Sequence, residues 1–271
     1  MNDGAARLRA AVLDWAGTLV DFGSRAPVAA IECVFAAAGV PVTVTEVRES
    51  MGLAKKAHIR SILEIPRVRE AWTVRHGGPP SEAAVEQLYA EFIPSQIRVL
   101  ANHSQLIPGV AEAVVRMRAR GLKIGTTTGY NRAMLDYLLE RAAAQGFVPD
   151  SAVCPDDVSA GRPLPWMCYL TAMRLEIYPL TACVKIGDTP ADIEEGRNAG
   201  MWTVGVTRTG NETGVTEEEW WRLSAADREG SLNNARHRLE QAGAHYTALS
   251  VAECDSILDS IDARLESGER P

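Results

Sequence analysis

Acidic and basic residues recur in this chain where short apolar runs end, a placement suited to handling a phosphoryl group. In AVLDWAGTLVD, Ala11–Asp21, an apolar run delivers Asp14 just before a glycine turn. In VKIGDTPADIEEGRNAGMWTVGV, Asp188 follows an apolar run directly and Asp192 stands one helical turn further on. The strand expected over 122–127 ends in Thr128 and Gly129, a hydroxyl and a flexible backbone N–H able to hold phosphate oxygens. VSAGRPLPWMCY puts Arg162 just before a proline-opened helix, where its guanidinium would neutralise charge building on a transferring phosphoryl group. Two carboxylates can approach a phosphoryl dianion only if a divalent cation bridges them, and Mg²⁺ suits such oxygen ligands. Asp14 then reads as nucleophile and metal ligand, Asp188 as metal ligand, and Asp192 as an orienting group.

These residues need an open α/β sheet, in which ligands bind beyond the carboxyl ends of the strands. The pattern supplies one. Strands are expected at AVL before Asp14 and in LKIGTTTG, SAVCP, ACVKIGD, WTVGV and HYTALSV, with helical patterns between them. Between about Ser24 and Ser104 only helical patterns occur: Pro27 to Ala38 with Gly39 as stop, Lys55 to Leu63, and a long helix opened by Ser81. Pro66, Gly77, Gly78, Pro79 and Pro80 read as punctuation between them. The fold class is therefore α/β, a Rossmann-like doubly wound parallel sheet with an inserted all-helical cap. Residues 1–23 and 104–271 form the expected catalytic core, and 24–103 the expected cap.

The 271 residues are 46% hydrophobic and 23% charged, enough for a core of this size. A net charge of −7 argues against a nucleic-acid groove or an anionic membrane as partner and favours a small molecule. The five cysteines, Cys33, Cys154, Cys168, Cys183 and Cys254, have no metal-finger or CxxC spacing, and no signal-like segment opens the chain; a reduced, cytoplasmic protein is expected. Packing is the expected role of Trp72, Trp166, Trp202, Trp220 and Trp221. A frayed tail is expected after Glu266.

The three phosphate-handling segments after Asp14 occur in the order used by the haloacid dehalogenase superfamily, and DWAGTLVD resembles its first motif. The superfamily's phosphatases usually carry a second aspartate two residues after the nucleophile; here that position is Ala16. On this resemblance the backbone carbonyl of Ala16 becomes a third metal ligand. The missing aspartate is the acid that protonates a departing alkoxide. A carbon leaving group has another route, because an iminium formed from an amine and an aldehyde accepts the electron pair and departs as an enamine. ESMGLAKKAHIRSIL offers Lys55 as that amine.

Read together, DWAGTLVD, MGLAKKAH, TTGY, AGRPLPWMCY and GDTPADIEEGRNAGMW resemble the phosphonoacetaldehyde hydrolase family over almost the whole chain. The resemblance implies hydrolysis of a carbon–phosphorus bond with Mg²⁺ as cofactor. Lys55 rather than Lys56 would condense with the aldehyde, and His58 would relay protons. Met51 and Gly52 would shape the wall, with Tyr130 near the substrate, in a homodimer. Family members often carry a cysteine where this chain has Ser24. The competing expectation is a phosphatase or phosphomutase of the same superfamily acting on a small phosphate ester, with Lys55 as a mere binding group. A receiver-like module phosphorylated on Asp14 would have no use for a cap carrying Lys55.

Overall fold

The computed structural model describes residues 7–271; residues 1–6 of the expected core lie outside the described residues. Six strands form one sheet in the order β3-β2-β1-β4-β5-β6, all neighbours parallel. They are β1 Ala10–Leu13, β2 Lys123–Thr127, β3 Ser151–Val153, β4 Cys183–Gly187, β5 Trp202–Val206 and β6 Tyr246–Ala248. The order reverses at β1, which pairs with β2 on one side and β4 on the other, so a crevice opens at the carboxyl ends of these central strands.

Strand β1 is buried on both faces, as a central parallel strand must be. Its side chains alternate: Ala10 and Val12 join a small cluster with Cys168, Ala172 and Leu175, whereas Ala11 and Leu13 enter the large core with Trp15, Ile124 and Ile186. Helices cover both faces, giving the expected doubly wound α/β architecture. Those after the first strand are α1 Arg25–Ala37, α2 Val44–Arg48, α3 Lys55–Glu64, α4 Pro66–His76 and α5 Glu82–Leu100. Then follow α6 Val110–Ala119, α7 Arg132–Ala143, α8 Trp166–Arg174, α9 Pro190–Asn198, α10 Glu217–Arg222, α11 Ala225–Gln241 and α12 Asp255–Glu266.

Helices α1 to α5 lie between β1 and β2, with no strand among the described residues there. Ser81 caps α5, its hydroxyl accepting from the Ala84 N–H. Pro66 punctuates as expected, following α3, and is also the first residue of α4, a helix not expected there, where its missing N–H is no loss. Residues 217–241, for which the periodicity gave no element, form α10 and α11; both lie on polar sequence and each has a side-chain cap, Thr216 and Ser224. Helix α12 stops at Glu266.

Two tryptophans also differ from the packing expectation. Trp166 is 44% and Trp221 59% exposed, whereas Trp72, Trp202 and Trp220 are buried. Trp166 opens α8 and packs edge-on with Tyr169, and Trp221 lies under the guanidinium of Arg228. All five cysteines are free and only Cys33 is exposed. No described helix is long and apolar enough to cross a membrane.

Candidate active site

The ends of β1, β2 and β4 open into a narrow cavity lined by residues of both the sheet and the helical segment. Asp14, Ala16, Thr128, Gly129, Tyr130, Arg162, Asp188 and Thr189 come from the sheet side; Ser24, Pro27, Met51, Gly52 and Lys55 close it from the other. Asp14 follows the last residue of β1, and its N–H donates to the Ile186 carbonyl at 2.9 Å. Asp188 follows β4 in the same way on the adjacent strand. The capping box of α9 sets Asp192: Thr189 donates its hydroxyl to Asp192 Oδ2 at 2.6 Å.

Carboxylate oxygens of Asp14, Asp188 and Asp192 lie within 4.8 Å of one another, all buried. Asp192 is already satisfied. Lys185 Nζ donates to it at 2.7 Å and Arg162 Nη1 pairs with it at 3.0 Å. Burial pushes its carboxyl up, but Arg162 and Lys185 outweigh that and hold it below the usual range. Asp14 and Asp188 shift the other way. Burial raises Asp14, helped by the Asp192 charge and resisted by Arg162; burial and the Asp14 charge raise Asp188 further.

Sequence patterns did not single out two more buried charges, Lys185 and Glu195. Glu195 accepts from Arg162 Nε at 2.9 Å and from the Thr127 hydroxyl at 3.0 Å, and lies 3.7 Å from Lys185. Arg162 completes the network with Nη2 donating to Asp14 Oδ1 at 2.8 Å and to Thr127 Oγ1 at 3.0 Å. The floor thus holds four carboxylates, Asp14, Asp188, Asp192 and Glu195, against the two cations Arg162 and Lys185. This excess of buried negative charge, with oxygen donors converging, fits a hard divalent cation such as Mg²⁺ at Asp14 and Asp188. A signal for Lys185 did exist, a charge inside an otherwise apolar strand. For Glu195 it was the position three residues after Asp192, on the same face of α9.

Thr128 accepts from the Tyr130 N–H at 3.1 Å, which leaves its hydroxyl hydrogen free for a ligand oxygen. Lys55 opens α3, its own N–H donating to the Gly129 carbonyl at 3.2 Å, a hydrogen bond between helical segment and sheet. A side chain at Gly129 would collide with the Leu53 carbonyl, so this approach needs glycine. The Lys55 ammonium lies 5.2 Å from the centroid of the Tyr130 ring and 3.9 Å from the Met51 sulfur. Among the described residues it has no ion-pair partner. Burial lowers its pKa to about 8, resisted by the Asp14 charge. The Tyr130 hydroxyl is buried without a partner, and burial raises its pKa well above ordinary.

His58 does not line the cavity. It is fully buried one turn after Lys55, with Nε2 at 2.7 Å from the Val47 carbonyl and Nδ1 unpartnered. Burial, with the Lys55 charge, lowers its pKa to about 3, so it is a neutral ring carrying its proton on Nε2. Ser24 borders the cavity in a left-handed conformation, φ 50°. Lys56 points elsewhere, pairing with Glu86 on α5.

Residues 8–200 match the family model of haloacid dehalogenase-like hydrolases. A phosphonoacetaldehyde hydrolase of Nitratidesulfovibrio vulgaris is 46% identical over 97% of this chain and 94% of its own. One from Bacillus cereus is 43% identical over 94% and 97%. The crystal structure of a phosphonoacetaldehyde hydrolase-like protein from Oleispira antarctica superposes with a TM-score of 0.97 at 42% identity, covering all of both chains.

Proposed function

From the premise that this chain belongs to the phosphonoacetaldehyde hydrolase family of haloacid dehalogenase-like hydrolases, we propose that it cleaves phosphonoacetaldehyde to acetaldehyde and phosphate. The observation that carries this reading is Lys55: a buried amine, without a counter-ion among the described residues and with its pKa drawn down to about 8, on the same cavity as Asp14. An ester phosphatase has no use for such a group, and Ala16 leaves it without the usual acid.

Lys55 Nζ adds to the aldehyde carbon and water leaves, giving an iminium. Asp14 attacks phosphorus, the carbon–phosphorus bond breaks, and its electron pair passes to carbon to form an enamine while the aspartate carries the phosphoryl group. Protonation at carbon and hydrolysis release acetaldehyde and restore the amine; water then frees phosphate from Asp14. Held by Asp14, Asp188 and the Ala16 carbonyl, Mg²⁺ would screen the repulsion between carboxylate and phosphonate. Arg162, Thr128 and the backbone at Gly129 hold the phosphonate oxygens, and Asp192 keeps Arg162 in line. Met51, Gly52 and Tyr130 form an apolar wall that keeps water from the iminium. His58 stands behind Lys55 and off the cavity, so the relay that the family resemblance implies for it has only Nδ1 to use, its other nitrogen being committed to Val47. Residues 24–103 act as a cap that opens to admit substrate and closes to bring the two nucleophiles together. The same reading gives a cytoplasmic homodimer, which light scattering on the purified chain tests for assembly.

Incubating the purified protein with phosphonoacetaldehyde and Mg²⁺ tests the function. Equal release of acetaldehyde and phosphate is expected, with little phosphate from small phosphate esters; the reverse preference would make it an ester phosphatase.

A further inference from the structure

Arg48 ends α2 in the helical segment, yet its guanidinium is used on the sheet side. Nη1 donates to Asn211 Oδ1 at 2.7 Å and to the Asn211 carbonyl at 3.0 Å, and Nη2 donates to the Gly214 carbonyl at 3.1 Å. No carboxylate of the described residues lies within ion-pair distance of it. An arginine whose donors all go to amide oxygens of one loop is fixing geometry, since charge pairing is absent. The loop is shaped to receive it: Gly214 has φ +65°, and a side chain there would come within 2.8 Å of the guanidinium carbon. Thr213 braces the loop from inside, its hydroxyl 2.9 Å from the Arg208 carbonyl and 3.1 Å from that of Gly210.

The loop also reaches the floor of the cavity. The Asn211 N–H donates to Asp188 Oδ2 at 2.7 Å. On its other side Arg48 is tied to the wall, its carbonyl accepting from the Met51 N–H at 3.2 Å, four residues before Lys55. An unbroken chain of hydrogen bonds therefore runs from the Met51 loop through Arg48 and Asn211 to Asp188.

We propose that Arg48 is a positioning residue that latches the helical segment onto the Asn211–Gly214 loop, so that seating the wall that bears Lys55 and orienting Asp188 are one event. The proposal rests on the reading of Asp188 as a metal ligand, but its test does not depend on the reaction. Seating is visible in the amide of Lys55, whose hydrogen bond to Gly129 exists only when the segment is docked.

Hydrogen exchange and Mg²⁺ titration calorimetry on the substrate-free full chain test it. For Arg48→Met, exchange in the segment 51–55 is expected to rise about tenfold while β1 and β4 keep their protection, and Mg²⁺ is expected to bind about fivefold more weakly. Arg48→Lys, which keeps the charge but one donor direction, is expected to fall between parent and Arg48→Met. Parent-like exchange and parent-like Mg²⁺ affinity in Arg48→Met would overturn the latch. If that variant loses protection throughout, Asn211→Ala decides: it removes Oδ1 but keeps the N–H to Asp188, and the latch requires faster exchange at 51–55, whereas unchanged exchange would overturn it. Failure of the parent to hydrolyse phosphonoacetaldehyde would sink the proposed function and leave these two readouts standing.

Discussion

At the floor of the cavity, Arg162 and Lys185 interlock with Asp14, Asp192 and Glu195 in a buried network in which every side chain but that of Asp14 has more than one partner. At the wall contributed by the helical segment, Lys55 meets a thioether and an aromatic ring and, among the described residues, no carboxylate. Both regions are buried, yet burial does opposite things to their cations. It is outweighed by the carboxylates around Arg162 and Lys185, whose pKa values rise; it prevails at Lys55, whose pKa falls to about 8. Pairing fixes a charge in place, and isolation makes a base reactive. A floor that must hold an anion and a wall that must supply a free amine call for these different environments.

The comparison breaks most sharply at its two nucleophiles. Lys55→Arg keeps a cation at the wall but cannot form an imine, so turnover is expected to fall by at least ~10³, while Mg²⁺ affinity by calorimetry stays near the parent value. Asp14→Asn is expected to lose turnover comparably and still form the imine; borohydride in the presence of substrate should then leave a 2-phosphonoethyl group on Lys55, detectable by peptide mass spectrometry. Loss of that adduct would mean that the floor and the wall do not act separately.

Weakening the floor has an intermediate effect. Glu195→Gln leaves Arg162 and Lys185 short of a carboxylate and is expected to lower kcat/KM by roughly 10- to 100-fold and to cost about 3 kcal/mol in urea unfolding. The wall has its own signature in pH. Imine formation needs the neutral amine, so kcat/KM is expected to be low while Lys55 is protonated, to climb about tenfold per unit below the shifted value, and to level off above about 8. An alkaline limb near 10.5 would show that the amine is not desolvated in solution. The smallest effect is expected from Tyr130→Phe. Its hydroxyl has no partner, so removing it should change kcat/KM by less than about threefold and leave stability equal or slightly higher.

The floor was the more legible region. Asp14 and Asp188 announce themselves because each ends an apolar strand, and period-2 burial then fixes where they point. Lys185 and Glu195 are harder to read because a charge on a strand or helix ordinarily means a solvated face, and only the neighbouring strand and helix reveal that these two face each other. Lys55 is visible through its partnership with Ala16, and its isolation depends on Met51, four residues before it, and on Tyr130 from a distant stretch of chain. Arg48 carries no local signal at all: its acceptors, two backbone carbonyls and the Asn211 side-chain oxygen, lie 163 and 166 residues away. Pro66 marks the limit of punctuation rules, since a proline that stops one helix can serve as the first residue of the next.

Borohydride reduction of the parent enzyme during turnover, followed by peptide mass spectrometry, tests the wall most directly. The account predicts an ethyl group on Lys55, left by an acetaldehyde imine after the phosphoryl group has moved to Asp14. Release of acetaldehyde with Lys55 unmodified, or with the group on Lys56, would contradict it.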